Sequence, residues 1–187
     1  MRDRDVRAYA GWRMKILIAY DGSQDAKAAV SAAGKLFDGT TAVVLTVWEG
    51  VSEVLARAKA GFGGVLDFEA INRRSEEAAR ACADEGVGHA RAAGLPAAAR
   101  VTTQAGTVWE IVLREAAEVG ADVIVVGTRG RTEMKSPLLG SVSRALLQHA
   151  DRPVLVVPPV RRAAAAPGER QGQPQTSVDP DFLGARL

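Results

Sequence analysis

Short apolar runs alternate with amphipathic segments along most of the chain. The apolar runs are KILIAY (15–20), TAVVLTVW (41–48), AARVTTQA (98–105), ADVIVVG (121–127) and PVLVVP (153–158). Runs of this length and composition are typical of β-strands that are buried on both faces of a sheet. Because strands and helical segments alternate, we expect a parallel sheet with right-handed helical crossovers on both faces, which is an open α/β fold.

The segments between these runs predict four amphipathic helices, because their apolar residues recur at helical spacing. The helices are expected at about 26–37, 67–93, 107–120 and 141–149. Thr107 and Glu110 have the spacing of a capping box, in which each side chain reaches a backbone N–H of the first turn. Gly94 and Pro96 are expected to end the second helix.

Three segments flank or interrupt this pattern. Residues 1–13 are expected to form a flexible N-terminal extension, 49–66 a glycine-containing loop, and 161–187 a disordered tail. The chain of 187 residues, 47% of them hydrophobic, is long enough for one substantial core and short for two. A single domain is therefore predicted over residues 14–160.

The charge distribution argues against a surface for nucleic acid or anionic membranes. The formal net charge is +2, and four Arg precede Lys15 while four more follow Val160. The segment between them is close to neutral, so it lacks the broad positive field that attracts polyanions. We therefore expect neither nucleic acid nor a membrane as a partner.

The few Cys and His residues also restrict the chemistry. The single Cys82 cannot form an internal disulfide or a multi-cysteine zinc site, and the two distant His residues lack metal-ligand spacing. No apolar run approaches the roughly 20 residues that cross a bilayer. The N-terminus lacks the apolar region of a secretion signal. The expected location is the reducing cytoplasm, with no metal site.

The loop between the fourth strand and the last helix carries three glycines and an excess of cations. Its sequence, with the start of the helix, is GTRGRTEMKSPLLGSVS (127–143). Gly127 and Gly130 have no Cβ, so the backbone there can turn and come close to a ligand. The surrounding cations are Arg129, Arg131, Lys135 and Arg144. Such cations can offset the charge of a phosphate.

The start of the last helix completes a predicted phosphate site. Gly140 introduces Ser141, Val142 and Ser143, whose backbone N–H groups lack partners within the helix. These N–H groups and the helix dipole attract phosphate, and the two serine hydroxyls add donors. The alternative is that the glycines only form a tight turn, which accounts less well for the polar, cation-rich loop.

Asp21, at the carboxyl end of the first strand, is the candidate residue opposite this loop. In an open α/β sheet, ligands bind beyond the carboxyl ends of the strands where the strand order reverses, here expected between the first and fourth strands. A carboxylate there can accept hydrogen bonds from a ribose hydroxyl. The alternative is that Asp21 caps the helix that starts near Ser23, since Asp and Ser are both favoured caps.

These segments resemble the universal stress protein family. Gly127-x2-Gly130-x9-Gly140-Ser141 has the spacing of that family's ATP-binding signature, and KILIAYDGS, VVLTVW and ADVIVVGTRG are similar to its corresponding segments. The resemblance covers about residues 14–159. It implies a doubly wound, Rossmann-like parallel sheet of strand order 3-2-1-4-5, of the adenine-nucleotide alpha-hydrolase type, with ATP and Mg²⁺ across strands one and four.

The resemblance also implies roles for individual residues. Asp21 would contact the adenosine portion, and the backbone of Val47 would meet the adenine, while Thr46 stands where the family often has histidine. The residues at the ribose and phosphates would be Gly127, Arg129, Gly130, Gly140, Ser141, Val142 and Ser143. Family members commonly dimerise through the fifth strand, so residues 153–158 are expected to form a homodimer contact.

The predicted function is that of an ATP-binding regulatory protein of the stress response, without an assigned catalytic residue. Two alternatives stay open. One is a slow ATP-hydrolysing enzyme, for which Asp21 and Glu133 are the nearby carboxylates. The other is a dimeric scaffold that binds no nucleotide. A Walker-type ATPase is not indicated, because Gly34-Lys35 is followed by Leu36 rather than by Ser or Thr.

Overall fold

The computed structural model describes residues 14–50, 67–131 and 139–159. The predicted N-terminal extension, most of the 49–66 loop and the predicted tail lie outside the described residues, as do Glu133 and Lys135. Within the described part of the chain, no helix has the length and apolar character needed to cross a membrane.

Strands and helices alternate along the described residues. The strands are β1 (Lys15–Ala19), β2 (Thr41–Trp48), β3 (Ala97–Thr103), β4 (Val123–Gly127) and β5 (Val154–Val157). The helices are α1 (Gln24–Leu36), α2 (Phe68–Ala92), α3 (Val108–Glu118) and α4 (Ser141–His149). Each predicted strand and helix is present, with ends that differ from the prediction by at most two residues.

The five strands form one parallel sheet of order β3-β2-β1-β4-β5. The central strand β1 pairs with β2 on one side and with β4 on the other. Strands in the middle of such a sheet are covered by helices on both faces, which explains their continuous apolar sequences. The predicted doubly wound fold and its strand order are confirmed.

Two apolar cores lie on opposite faces of this sheet. Ile16 and Ile18 pack toward α1 and α2, whereas Leu17 packs toward α3 and α4. All three are fully buried because successive side chains of a strand point to opposite faces. Burial of one such side chain stabilises the fold by about 1.5–3 kcal/mol.

Side chains cap α1 and α3, which start near the carboxyl edge of the sheet. The Ser23 hydroxyl accepts the N–H of Ala26 at 3.2 Å and begins α1. At the start of α3, the Glu110 carboxylate accepts the backbone N–H and the hydroxyl of Thr107 at 3.0 and 2.6 Å. The predicted capping box is therefore present.

A buried ion pair ties the outer strand β3 to α3. The Arg100 guanidinium pairs with Glu115, whose side chain is only 4% exposed, and with Glu118. Arg114 lies 3.5 Å from the same Glu115 carboxylate. Glu115 is thus buried with two cationic partners, as a buried charge requires.

Candidate functional site

The candidate site lies at the edge of the sheet where β1 and β4 end side by side. From β1 the chain continues into α1, which packs in the core with α2. From β4 it continues into α4, which packs in the core on the opposite face. Neighbouring strands whose connections leave to opposite faces create a crevice between them, and such crevices bind ligands in α/β proteins.

Asp21 bridges the two loops that border this crevice. Its Oδ1 accepts the N–H of Ser23 at 3.0 Å, and its Oδ2 accepts the N–H of Arg131 at 2.9 Å. Because the Ser23 side chain caps α1, capping is not the role of Asp21. The carboxylate instead holds the glycine loop against the end of β1.

Asp25 is a second carboxylate at the crevice, and the sequence analysis did not identify it. It lies in the first turn of α1 with a side chain 12% exposed. Its Oδ2 accepts the Thr128 hydroxyl at 2.6 Å and the Arg129 N–H at 3.1 Å. One signal was available in the sequence, since Asp25 stands at the start of the helix that follows the first strand, beside the edge where ligands bind in this fold.

The first two loop glycines are sites of close approach between the two loops themselves. A Cβ at Gly127 would lie 2.7 Å from the carbonyl carbon of Asp25, and one at Gly130 would lie 2.7 Å from Oδ2 of Asp21. Real Cβ atoms do not come this close to other heavy atoms. The absent Cβ therefore serves contact between the two loops, and the approach of a ligand to these glycines stays a prediction.

Thr128 connects β4, β5 and the start of α4. Its N–H donates to the Val157 carbonyl at 3.0 Å, and its carbonyl accepts the Gly140 N–H at 2.8 Å. The Ser143 hydroxyl donates to the same Thr128 carbonyl at 2.9 Å, with the Gly140 carbonyl at 3.1 Å as a second acceptor. Ser143 is 2% exposed. Its hydroxyl is therefore engaged inside the protein and is not the free donor we had expected.

The first turn of α4 presents backbone donors at the crevice. Gly140 is the N-cap, and among the residues that the structure describes no side chain caps this helix. The first intrahelical bond runs from the Arg144 N–H to the Gly140 carbonyl at 3.1 Å. The N–H groups of residues 141–143 precede that bond and point out of the helix terminus. Ser141 is exposed and Val142 is half-buried, whereas Ser143 is buried, so the accessible part of this terminus is its first two residues.

The predicted loop cations have different surroundings. Arg129 Nε lies 3.7 Å from Asp25 Oδ2, and the Arg129 side chain is 33% exposed. Arg144 donates to the Leu139 carbonyl at 3.0 Å and so braces the loop end. Of the described cations, Arg129 is the one whose guanidinium pairs across the crevice floor. Lys135 lies outside the described residues.

Val47 lies on the strand next to Asp21, near the same edge of the sheet. The Tyr20 N–H donates to the Leu45 carbonyl at 2.8 Å, so the residues that follow Tyr20 and Leu45 lie side by side at this edge. The Thr46 hydroxyl donates to the Tyr20 carbonyl at 3.0 Å. Thr46 thus ties β2 to β1.

Helix α2 covers the side of the crevice behind Asp21. Burial raises the pKa of Tyr20, which is 2% exposed, and also raises the pKa of the Cys82 thiol. A protonated, partly buried thiol is a packing group rather than a nucleophile.

The described residues include no cluster of His, Cys, Asp and Glu able to hold a metal ion.

Several solved structures share this fold. A protein of the universal stress protein family from Burkholderia pseudomallei is 29% identical, with a TM-score of 0.59 over 77% of this chain and 95% of that one. Three others contain nucleotides: an Archaeoglobus fulgidus protein with dAMP, a universal stress protein with cAMP, and an Arabidopsis thaliana protein with AMP. Their TM-scores are 0.51, 0.53 and 0.54 at identities of 20%, 23% and 20%. Each covers 78% of this chain and between 91% and 98% of its own, so the likeness is one of fold.

Sequence comparison covers the same region. Residues 13–158 match the model of the universal stress protein family. The "Universal stress protein in QAH/OAS sulfhydrylase 3'region" of Thermus aquaticus is 35% identical over 144 residues, which are 76% of this chain and 96% of that protein. This chain belongs to the universal stress protein family.

Proposed function

We propose that this protein binds an adenine nucleotide, with ATP as its ligand, and acts as a regulatory module of the stress response. The observation that carries the proposal is the first turn of α4, whose N–H groups at 141–143 have no side-chain cap within the described part of the chain. They stand at the strand-order reversal, where α/β proteins bind ligands. Proteins of this fold that contain AMP, dAMP and cAMP support the choice of an adenine nucleotide.

Each site residue has a proposed role that follows its position. Asp21 would accept a ribose hydroxyl, and the Val47 backbone would meet the adenine. The backbone of residues 127–130 would border the ribose and phosphates, with the Arg129 guanidinium turned toward them. The phosphates would rest on the start of α4, which comprises Gly140, Ser141, Val142 and Ser143.

A Mg²⁺ ion would be held mainly by the phosphates of the nucleotide. Both oxygens of Asp21 accept backbone N–H groups, and Oδ2 of Asp25 is held by the loop. Mg²⁺ keeps several waters and is commonly bound through phosphates with one or two carboxylates. The residues at this edge therefore fit a nucleotide better than a resident metal.

We propose binding rather than hydrolysis as the activity. A general base must reach the attacking water, but each carboxylate oxygen of Asp21 already accepts a backbone N–H. Incubation of the pure protein with ATP and Mg²⁺ tests this point. Turnover well above background that disappears in Asp21→Ala would overturn the binding-only proposal.

We further propose that the protein is a cytoplasmic homodimer formed through β5. This strand is at the edge of the sheet, and Val154, Leu155 and Val156 are only partly buried. An apolar edge strand is a template for pairing with another chain, and Pro153 and Pro158 would keep the contact short. Sedimentation that shows only monomer at micromolar concentration would contradict the dimer.

The ligand can be identified without assuming it. Denaturation of the purified protein and mass spectrometry of the released small molecules should yield an adenine nucleotide in amounts approaching those of the protein. Calorimetric titration of the nucleotide-free protein with ATP, AMP and cyclic AMP should then rank the three. No released nucleotide, together with no heat of binding for any of them, would refute the proposed function.

A further inference from the structure

A single oxygen of Asp25 links α1 to the first residues of the glycine loop. Asp25 Oδ2 accepts both the Thr128 hydroxyl at 2.6 Å and the Arg129 N–H at 3.1 Å. Asp25 is separated from these residues by more than 100 positions in the chain, and its side chain is 12% exposed. Hydrogen bonds to a charged, largely buried group are among the stronger ones in proteins.

The same network continues from Thr128 to the start of α4. The Thr128 carbonyl accepts the Gly140 N–H at 2.8 Å and the Ser143 hydroxyl at 2.9 Å. Those contacts orient the N-cap and the third residue of α4, which flank the exposed N–H groups. The contacts therefore run without a break from Asp25 through Thr128 to the helix terminus.

We propose that Asp25 is a positioning residue for phosphate recognition, acting through Thr128 on the N-terminus of α4. This inference rests on the proposed nucleotide site. Asp25 touches the loop and not the ligand, since Thr128 and Arg129 lie over its carboxylate. Its negative charge is offset by the Arg129 guanidinium at 3.7 Å. A carboxylate at this position thus orients the N–H groups that would bind phosphate, while its own negative charge is neutralised by Arg129.

Three variants separate the hydrogen bonds of Asp25 from its charge. Asp25→Ala removes both bonds. Asp25→Asn keeps an oxygen that can accept both of them, because both converge on Oδ2. Thr128→Val removes the hydroxyl donor and keeps the shape of the side chain. Asp38→Ala, at an exposed position beyond the far end of α1, is the matched control.

Calorimetric titration with ATP and with adenosine gives the decisive comparison. Asp25→Ala and Thr128→Val should bind ATP about tenfold to a hundredfold more weakly, as expected for the loss of charged hydrogen bonds. Adenosine affinity should stay within about twofold, because adenosine has no phosphate to be positioned. Asp25→Asn should largely rescue ATP binding, and the double variant Asp25→Ala/Thr128→Val should lose no more affinity than Asp25→Ala alone.

Amide exchange of the ligand-free protein tests the same link independently. The Gly140 N–H should exchange faster in Asp25→Ala than in the parent, because its acceptor on Thr128 is no longer held. If the parent binds no nucleotide, the proposed function fails while this exchange result still decides the positioning role. An unchanged Gly140 exchange rate would overturn the inference. So would equal losses of ATP and adenosine affinity that parallel a fall in the melting temperature.

Discussion

Replacing Ser141 by Asp would separate two roles of the start of α4, as a helix terminus and as the proposed phosphate site. Ser141 is the exposed first residue of the helix, whose N-cap is Gly140. A carboxylate at a helix N-terminus interacts favourably with the helix dipole, by about 0.3–1 kcal/mol. Ser141→Asp should therefore be at least as stable as the parent.

The same carboxylate should oppose a bound phosphate. Two unit charges about 5 Å apart repel by roughly 3 kcal/mol at an effective dielectric constant of about 20. That energy corresponds to a loss of roughly a hundredfold in ATP affinity. Adenosine carries no phosphate, so its affinity should change little. A variant that gains stability and loses only the phosphate-bearing ligand cannot be explained by damage to the fold.

Calorimetry at low salt measures both affinities, and Ser141→Asn is the uncharged control of the same size. Raising the salt concentration should reduce the difference in ATP affinity between the Ser141→Asp and Ser141→Asn variants, because exposed charges are screened within roughly 10 Å at 0.1 M. If Ser141→Asp binds ATP as tightly as the parent, the start of α4 is not the phosphate site, and the central proposal is wrong.

Three further predictions concern stability. Gly127→Ala should destabilise the fold by about 1–3 kcal/mol in urea titrations, because the new Cβ would overlap the backbone of the first turn of α1. Gly88→Ala, which meets nothing within 4 Å in the middle of a helix, should instead be slightly stabilising. Arg100→Met should cost about 3 kcal/mol by leaving the buried Glu115 with only the weaker of its two described cationic partners, Arg114 at 3.5 Å, and Glu115→Gln in the same chain should recover part of the loss. Glu110→Ala should lower the melting temperature at neutral pH. Capping hydrogen bonds hold the Glu110 pKa below its ordinary value of 4.5, so this stabilisation is present above that pH and is lost as the pH falls through the lowered value. A difference from the parent that persists unchanged at low pH would contradict this assignment.

Local patterns were sufficient to predict the elements of the fold. The apolar runs located all five strands, and the Thr107 and Glu110 pair located the start of α3. These features depend on residues close together in the chain, where spacing alone carries the information. The strand order 3-2-1-4-5 depends on contacts between distant segments, and it came from the family resemblance rather than from the periodicity.

The contacts inside the candidate site were harder to predict for the same physical reason. Asp25 lies beside Thr128 only because β1 and β4 pair in a particular register. No spacing pattern indicates that the Ser143 hydroxyl turns inward to the Thr128 carbonyl. Contacts between side chains about 100 residues apart depend on how the helices and strands pack. The secondary structure of a residue, in contrast, depends largely on its neighbours in the sequence.

The geometry of the glycine loop changes what its sequence signature can be used to infer. A Cβ at Gly127 would overlap the backbone of Asp25, and one at Gly130 would displace the Asp21 carboxylate, whether or not a nucleotide is present. A chain could therefore keep both glycines for loop packing after losing its ligand. The start of α4 is different, because no side chain of residues 14–50, 67–131 or 139–159 caps its first N–H groups. Nucleotide binding in this fold is thus better judged from the charge and accessibility of residues 141–143 than from the glycines, and a family member with an acidic residue at the position of Ser141 should fail to bind phosphate even with every glycine in place.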